Sequence, residues 1–117
     1  MSPQPIDPQT QEAVHSFLSR IASQYDMAGA ILYGSRARGI YHPDSDADLA
    51  VLLNGEHGRF LSTKLDMADT AFDVMLDTGI LISPLPIWLD EWEQPENYAN
   101  PALLHNIDRD GIRLLAK

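Results

Sequence analysis

Gly34-Ser35-Arg36-Ala37-Arg38-Gly39-Ile40-Tyr41-His42-Pro43-Asp44-Ser45-Asp46-Ala47-Asp48 is the stretch that decides how this chain of 117 residues is read. Just before it, Ala30-Ile31-Leu32-Tyr33 continues a small, apolar run over residues 28–33. Such a run suits a strand buried on both faces. It stops at Gly34, where a missing side chain allows positive φ or a close approach of the backbone to another group. Pro43-Asp44-Ser45 then makes a turn. Residues 47–53, Ala-Asp-Leu-Ala-Val-Leu-Leu, read as a second strand that ends at Asn54-Gly55.

In a strand, residues two apart point to the same face, so Asp46 and Asp48 share one. Two carboxylates placed this way can hold hard divalent cations such as Mg²⁺, which bind through a few carboxylates together with substrate phosphates. Ser35 and the amides after it open a short turn or helix, whose free N–H groups favour phosphate. Arg36 and Arg38 bring cationic donors to the same place, and the guanidinium fork suits phosphate. If the two strands pair antiparallel, the end of the first lies beside the start of the second. The Gly-Ser turn and the carboxylate pair then meet at one edge of the sheet, as a metal-bound nucleoside triphosphate requires. His42 reads as a loop histidine.

Gly34-Ser35, ten residues, then Asp46-x-Asp48 resembles the signature of the polymerase β nucleotidyltransferase superfamily. The string GSRARGIYHPDSDADLAVLL looks like its minimal branch, the MNT domains, which often act as antitoxins to HEPN-domain toxins. The resemblance implies a small mixed sheet of three to four strands with helices packed on it, an α/β (α+β) fold of the polymerase β type. It implies Mg²⁺ as cofactor, with Asp46 and Asp48 as metal ligands and catalytic residues. It implies ATP as substrate, its phosphates held by Gly34, Ser35, Arg36 and Arg38. It also implies a HEPN-type toxin as partner, with a tyrosine of that partner as the acceptor of AMP. Active members add a third carboxylate from a later strand. Here the corresponding span is residues 79–83, Gly-Ile-Leu-Ile-Ser, which contains no acid. Asp77 is the nearest candidate; otherwise Ser83 and water complete the shell.

Outward from the motif, the chain reads as one minimal nucleotidyltransferase domain over residues 1–117. After a loose start at residues 1–6, Asp7-Pro8 signals a helix N-terminus. Val14, Phe17, Leu18, Ile21, Ala22 and Tyr25 follow at helical spacing, which predicts a helix over residues 8–25. A second helix is expected over residues 59–76, with Phe60, Leu61, Leu65, Ala68, Ala71, Phe72, Met75 and Leu76 on one broad face. Asp66, Asp69 and Asp73 fall on its polar side. Gly79 stops it, and the crossover makes the strand over residues 80–88 parallel to the second. Pro84 and Pro86 cannot donate to a ladder, which suggests an edge position or an irregular strand. Trp88 and Trp92 read either as half-buried or as a partner surface. Pro101 opens a short helix that Gly111 closes, and residues 112–114 form a short extended piece.

Eight basic and 17 acidic residues give a net charge of −9. That disfavours a large nucleic-acid footprint and suits a basic protein partner. The chain has no cysteine, which excludes disulfides and thiolate metal sites. Without an apolar run of about 20 residues or a signal sequence, the expected location is the cytoplasm. Three functions fit: a nucleotidyltransferase acting on a partner protein as antitoxin, a binding antitoxin that works by occlusion, and a transferase for a small molecule such as an antibiotic. The third sits badly with a chain too short to shape an acceptor pocket.

Overall fold

The computed structural model describes residues 6–55 and 58–115; most of the loose start expected at 1–6 lies outside them. The order is α1 (Pro8–Ile21), β1 (Met27–Tyr33), α2 (Ser35–Arg38), β2 (Ala47–Leu53), α3 (Phe60–Thr78), β3 (Ile82–Trp88), α4 (Leu89–Glu93), a 3-10 turn (Pro95–Asn97), α5 (Pro101–Asp110) and β4 (Ile112–Leu115). The four strands form one mixed sheet in the order β3-β2-β1-β4. β1 pairs antiparallel with β2 and with β4, while β2 and β3 run parallel. The expected mixed α+β sheet is therefore present, and the closing extended piece becomes its fourth strand.

α1 starts where its cap lies. The Asp7 carboxylate accepts from the Thr10 amide at 3.0 Å, and Pro8 occupies the first turn, where its missing N–H costs nothing. The helix buries Ala13, Val14, Phe17, Leu18 and Ile21. It ends at Ile21, so Ala22 is its cap and Tyr25 belongs to the following turn, four residues short of the expected end. α1 and α3 cover one face of the sheet, over Ala30, Leu32, Ala47, Leu49, Val51 and Ile82. The opposite face carries Ile31, Ala50, Leu52 and Ile87 against Leu104 and Ile107 of α5.

α3 buries only part of its broad apolar face. Met67, Ala71 and Val74 are its buried residues, whereas Leu61, Leu65, Phe72 and Leu76 are exposed by 66%, 57%, 52% and 67%. At 100° per residue, its apolar residues from Val74 round to Leu76 occupy an arc of roughly 200°. That is wider than one packed face can cover. The sheet takes the side with Ala71 and Val74, and the bulkier side remains outward.

β3 lies at an edge, as its prolines require. The Ala47 amide donates to the Leu81 carbonyl at 2.9 Å, which fixes the parity of the parallel ladder. Ser83, Leu85 and Ile87 then turn their amides toward β2, and Pro84 and Pro86 turn their missing donors to the open side. Trp88 is buried in the core under α1 and α3, and Trp92 packs half-buried on the second cluster. The Trp88 ring is therefore closed to a partner, while Trp92 keeps part of its surface open. The α4 helix at Leu89–Glu93 had no counterpart in the sequence reading. Its start is held by Glu91, which accepts from the Trp88 amide at 3.1 Å.

Candidate active site

The two halves of the motif meet at Gly34 and Asp48. Gly34 has φ 75° and ψ −157°, a conformation essentially reserved for glycine. A Cβ built there would fall on Asp48 Oδ2, with Cγ at 3.2 Å and Cβ at 3.4 Å. The turn after β1 thus wraps directly against the carboxylate carried by β2. Gly34 caps the single turn of α2, and Gly39 closes that turn in the left-handed region at φ 75°.

Asp48 pairs across the sheet with Tyr33 of β1 and with Ser83 of β3. Cross-strand partners share a face, so Tyr33, Asp48 and Ser83 form a row on the α5 side of the sheet. Burial, then the neighbouring Asp46 charge, raises the Asp48 pKa, while Arg38 works in the opposite direction. Burial, then Asp48 and Tyr98, pushes the Tyr33 hydroxyl up to about 12. Tyr98 is also raised, by burial and then by Glu91. Neither tyrosine was singled out from the sequence, because nothing in its spacing shows that β1 ends on the carboxylate face. The register supplies that signal.

The arginines divide. Arg38 is exposed and its charge reaches both Asp48 and Asp110. Arg36, expected at the phosphates, is 4% exposed. Its guanidinium donates to the Ser45 carbonyl at 2.9 Å, to Thr10 Oγ1 at 2.9 Å and to the Pro43 carbonyl at 3.1 Å. It lies 3.8 Å from Asp7 and stacks over Tyr41 at 4.6 Å. It pins the loop before Asp46 to the start of α1. Burial works against the Asp7 carboxylate there, but bonds from Thr10 and Tyr41 and the Arg36 charge outweigh it and hold its pKa low. Arg36 shapes the site from beneath, with its fork spent on protein oxygens.

Asp77 does not join the carboxylates. It lies in the last turn of α3 and is ion-paired with Arg20 of α1, on the helical layer that covers the other face of the sheet. Ser83 holds the place beside Asp48. Among the described residues, no group of three or more His, Cys, Asp or Glu side chains could together hold a metal. The donor set at Asp46 and Asp48 fits one hard divalent cation whose remaining ligands are phosphate oxygens and water. It does not supply the carboxylates for two. His42 is exposed in the loop. A cavity of about 540 Å³ lies elsewhere, between α1 and Met27 and Leu114.

This geometry fits what the comparisons show. The nucleotidyltransferase domain family model matches residues 14–98, so the chain belongs to that family. A solved structure from Sulfolobus solfataricus, of a protein assigned as a nucleotidyltransferase, is similar over 92% of this chain and 86% of that one. The TM-score is 0.53 and the identity 16%, which bears on the fold. No curated protein sequence matches. The fold is that of the polymerase β-type nucleotidyltransferases, and among the described residues no helix is long and apolar enough to cross a membrane.

Proposed function

We propose that the chain is a Mg²⁺-dependent nucleotidyltransferase that moves AMP from ATP to a hydroxyl, a tyrosine of a HEPN-type toxin partner, and thereby acts as its antitoxin. The observation that carries this reading is the seat of the Asp48 carboxylate against the bare backbone of Gly34, beside Asp46 and within reach of the Arg38 charge. Phosphate enters where side chains are missing, between the amides after Gly34 and the carboxylate pair. Asp46, Asp48 and phosphate oxygens would hold Mg²⁺, which when bound neutralises charge on the transferring group. Arg38 and the amides from Ser35 onward orient the terminal phosphates. The acceptor oxygen attacks the α-phosphorus, the bond to the bridging oxygen breaks, pyrophosphate leaves toward the Gly-Ser turn, and the hydroxyl proton passes to water. Positioning and charge neutralisation carry most of such a reaction.

A second reading is favoured by the serine that stands in register with Asp48. With two carboxylates in place of three, the chain would bind nucleotide and silence its partner by occlusion. Intact mass of the co-purifying partner after incubation with ATP and Mg²⁺ separates the two. Whole adenylyl additions that vanish in Asp46→Asn/Asp48→Asn support transfer. An unchanged mass with the partner bound and silent refutes it and leaves occlusion.

A further inference from the structure

The outer side of α3 carries Leu61, Leu65, Phe72 and Leu76, each more than half exposed. At 100° per residue they fall within about 60° of one another, in one continuous stripe along the helix. An exposed apolar stripe of this size on a helix that already has a packed face marks a contact surface. Asp66, Asp69 and Asp73 run along one flank of the stripe, all exposed. Asp66 accepts from the Tyr25 hydroxyl at 3.3 Å, and Asp77 at the end of the row is paired with Arg20. On the other flank Lys64 sits over the Phe60 ring at 5.8 Å.

We propose that this face of α3 docks an amphipathic helix of a partner protein whose apolar stripe is bordered by lysine and arginine. Charge complementarity selects that occupant. The row of aspartates on a chain of net charge −9 attracts a basic border and repels an acidic one. A second copy is a poorer occupant: a two-fold antiparallel pairing of two α3 helices sets both aspartate rows on the same side of the seam, and a parallel pairing offers each row of three aspartates only Lys64. Strand addition at the β3 edge is blocked by Pro84 and Pro86, which offer no donors there. The stripe is a place where a helix can bury apolar surface. A partner held here is held whether or not a nucleotide is transferred.

The probe is a labelled synthetic helix of about 20 residues, long enough to lie along α3, with leucines at helical spacing and lysines on both borders. A matched helix carries glutamates instead. Anisotropy titrations would compare the intact chain, Leu65→Ser/Phe72→Ser and Asp66→Asn/Asp69→Asn/Asp73→Asn, with sedimentation of each protein alone. Both variants change exposed residues, so their circular dichroism should match the parent. The basic helix should bind at least ~10-fold tighter than the acidic one, and lose at least ~10-fold on the serine pair and ~5-fold on the asparagine set. Equal binding of the two helices, undiminished binding to the serine pair, or no binding of the basic helix overturns the proposal. A dimer of the parent chain that the serine pair dissociates overturns it in favour of a second copy.

Discussion

Gly34→Ala should show how tightly the two halves of the site are joined. Gly34 holds φ 75° and ψ −157°, where a side chain costs ~1–3 kcal/mol in backbone strain. The new methyl also lands on the Asp48 carboxylate, so either that side chain rotates away or the turn shifts, at a further ~1–2 kcal/mol. For 117 residues, an unfolding entropy of about 2.1 cal/mol/K per residue makes each kcal/mol worth roughly 4 °C. A total near ~3 kcal/mol then lowers the melting temperature by about 12 °C. In an Asp48→Ala background the carboxylate is gone and only the Asp48 Cβ remains, 3.4 Å from the new methyl, an ordinary contact. Gly34→Ala should then cost about half as much, through backbone strain alone. Thermal melts of the four proteins at pH 7 in EDTA measure this coupling without metal. Equal losses in the two backgrounds, or a parent-like melt for Gly34→Ala, would refute the contact.

Three further outcomes follow from the same geometry. Arg36→Ala strips the Ser45 and Pro43 carbonyls and Thr10 of their buried donor and should cost ~2–4 kcal/mol; Arg36→Lys should recover little, since an ammonium cannot reproduce the fork, and urea melts of both decide it. Asp48→Asn should stabilise the protein at pH 7, because burial and Asp46 raise the folded pKa of Asp48. The wild-type handicap is absent below the ordinary carboxylate pKa and grows as pH rises through the raised one. At this half-exposed, solvent-screened pair the gain at neutral pH is a few degrees, and melts from pH 3 to 8 should show the two curves converge in acid. Ser83→Asp, in register with Asp48, should tighten Mn²⁺ binding at least ~10-fold, read by electron paramagnetic resonance, and an unchanged affinity would place residue 83 away from the metal.

The sequence carries the parts of this fold that depend on local spacing. The Gly34 stop, the Asp7-Pro8 start and the edge prolines follow from neighbours within a few positions, the parallel crossover follows from a helix between two apolar runs, and the structure has each. What the sequence hides are choices made across the chain. Arg36 and Arg38 are alike in sequence, each two residues from the other on a single turn. Only the return of α1 to the loop separates a buried clamp from an exposed cation. Tyr33 joins the carboxylate face through register. For α3, an apolar arc of roughly 200° leaves open which side the sheet takes. Asp77 is near the catalytic edge in sequence but is turned by its helix to the other layer, where Arg20 holds it.

The relation between the α3 stripe and the carboxylates bears on the two readings of function. β3 starts at Ile82, in register with Ala47 between Asp46 and Asp48, and α3 ends at Thr78, just before it. Leu76 therefore lies at the end of α3 nearest the catalytic edge, and Leu61 at the far end. The stripe sits on the layer opposite the Tyr33-Asp48-Ser83 row. A helix bound along it does not cover the carboxylates from their own face, but its end is delivered to the edge where they open. Occlusion alone gives no reason for a grip on one face and an open carboxylate row on the other. Transfer does, since a partner anchored along α3 can bring a neighbouring hydroxyl round the edge to Asp48 while the nucleotide approaches from the Gly34 turn. Under the transfer reading, docking and chemistry then part on a double variant: Leu65→Ser/Phe72→Ser should reduce adenylylation of the partner at low concentration and let it recover at high concentration, because the anchor contributes affinity and leaves the chemistry intact. A loss that saturating partner cannot restore would mean that the stripe shapes the site itself, and would break the separation of docking from transfer.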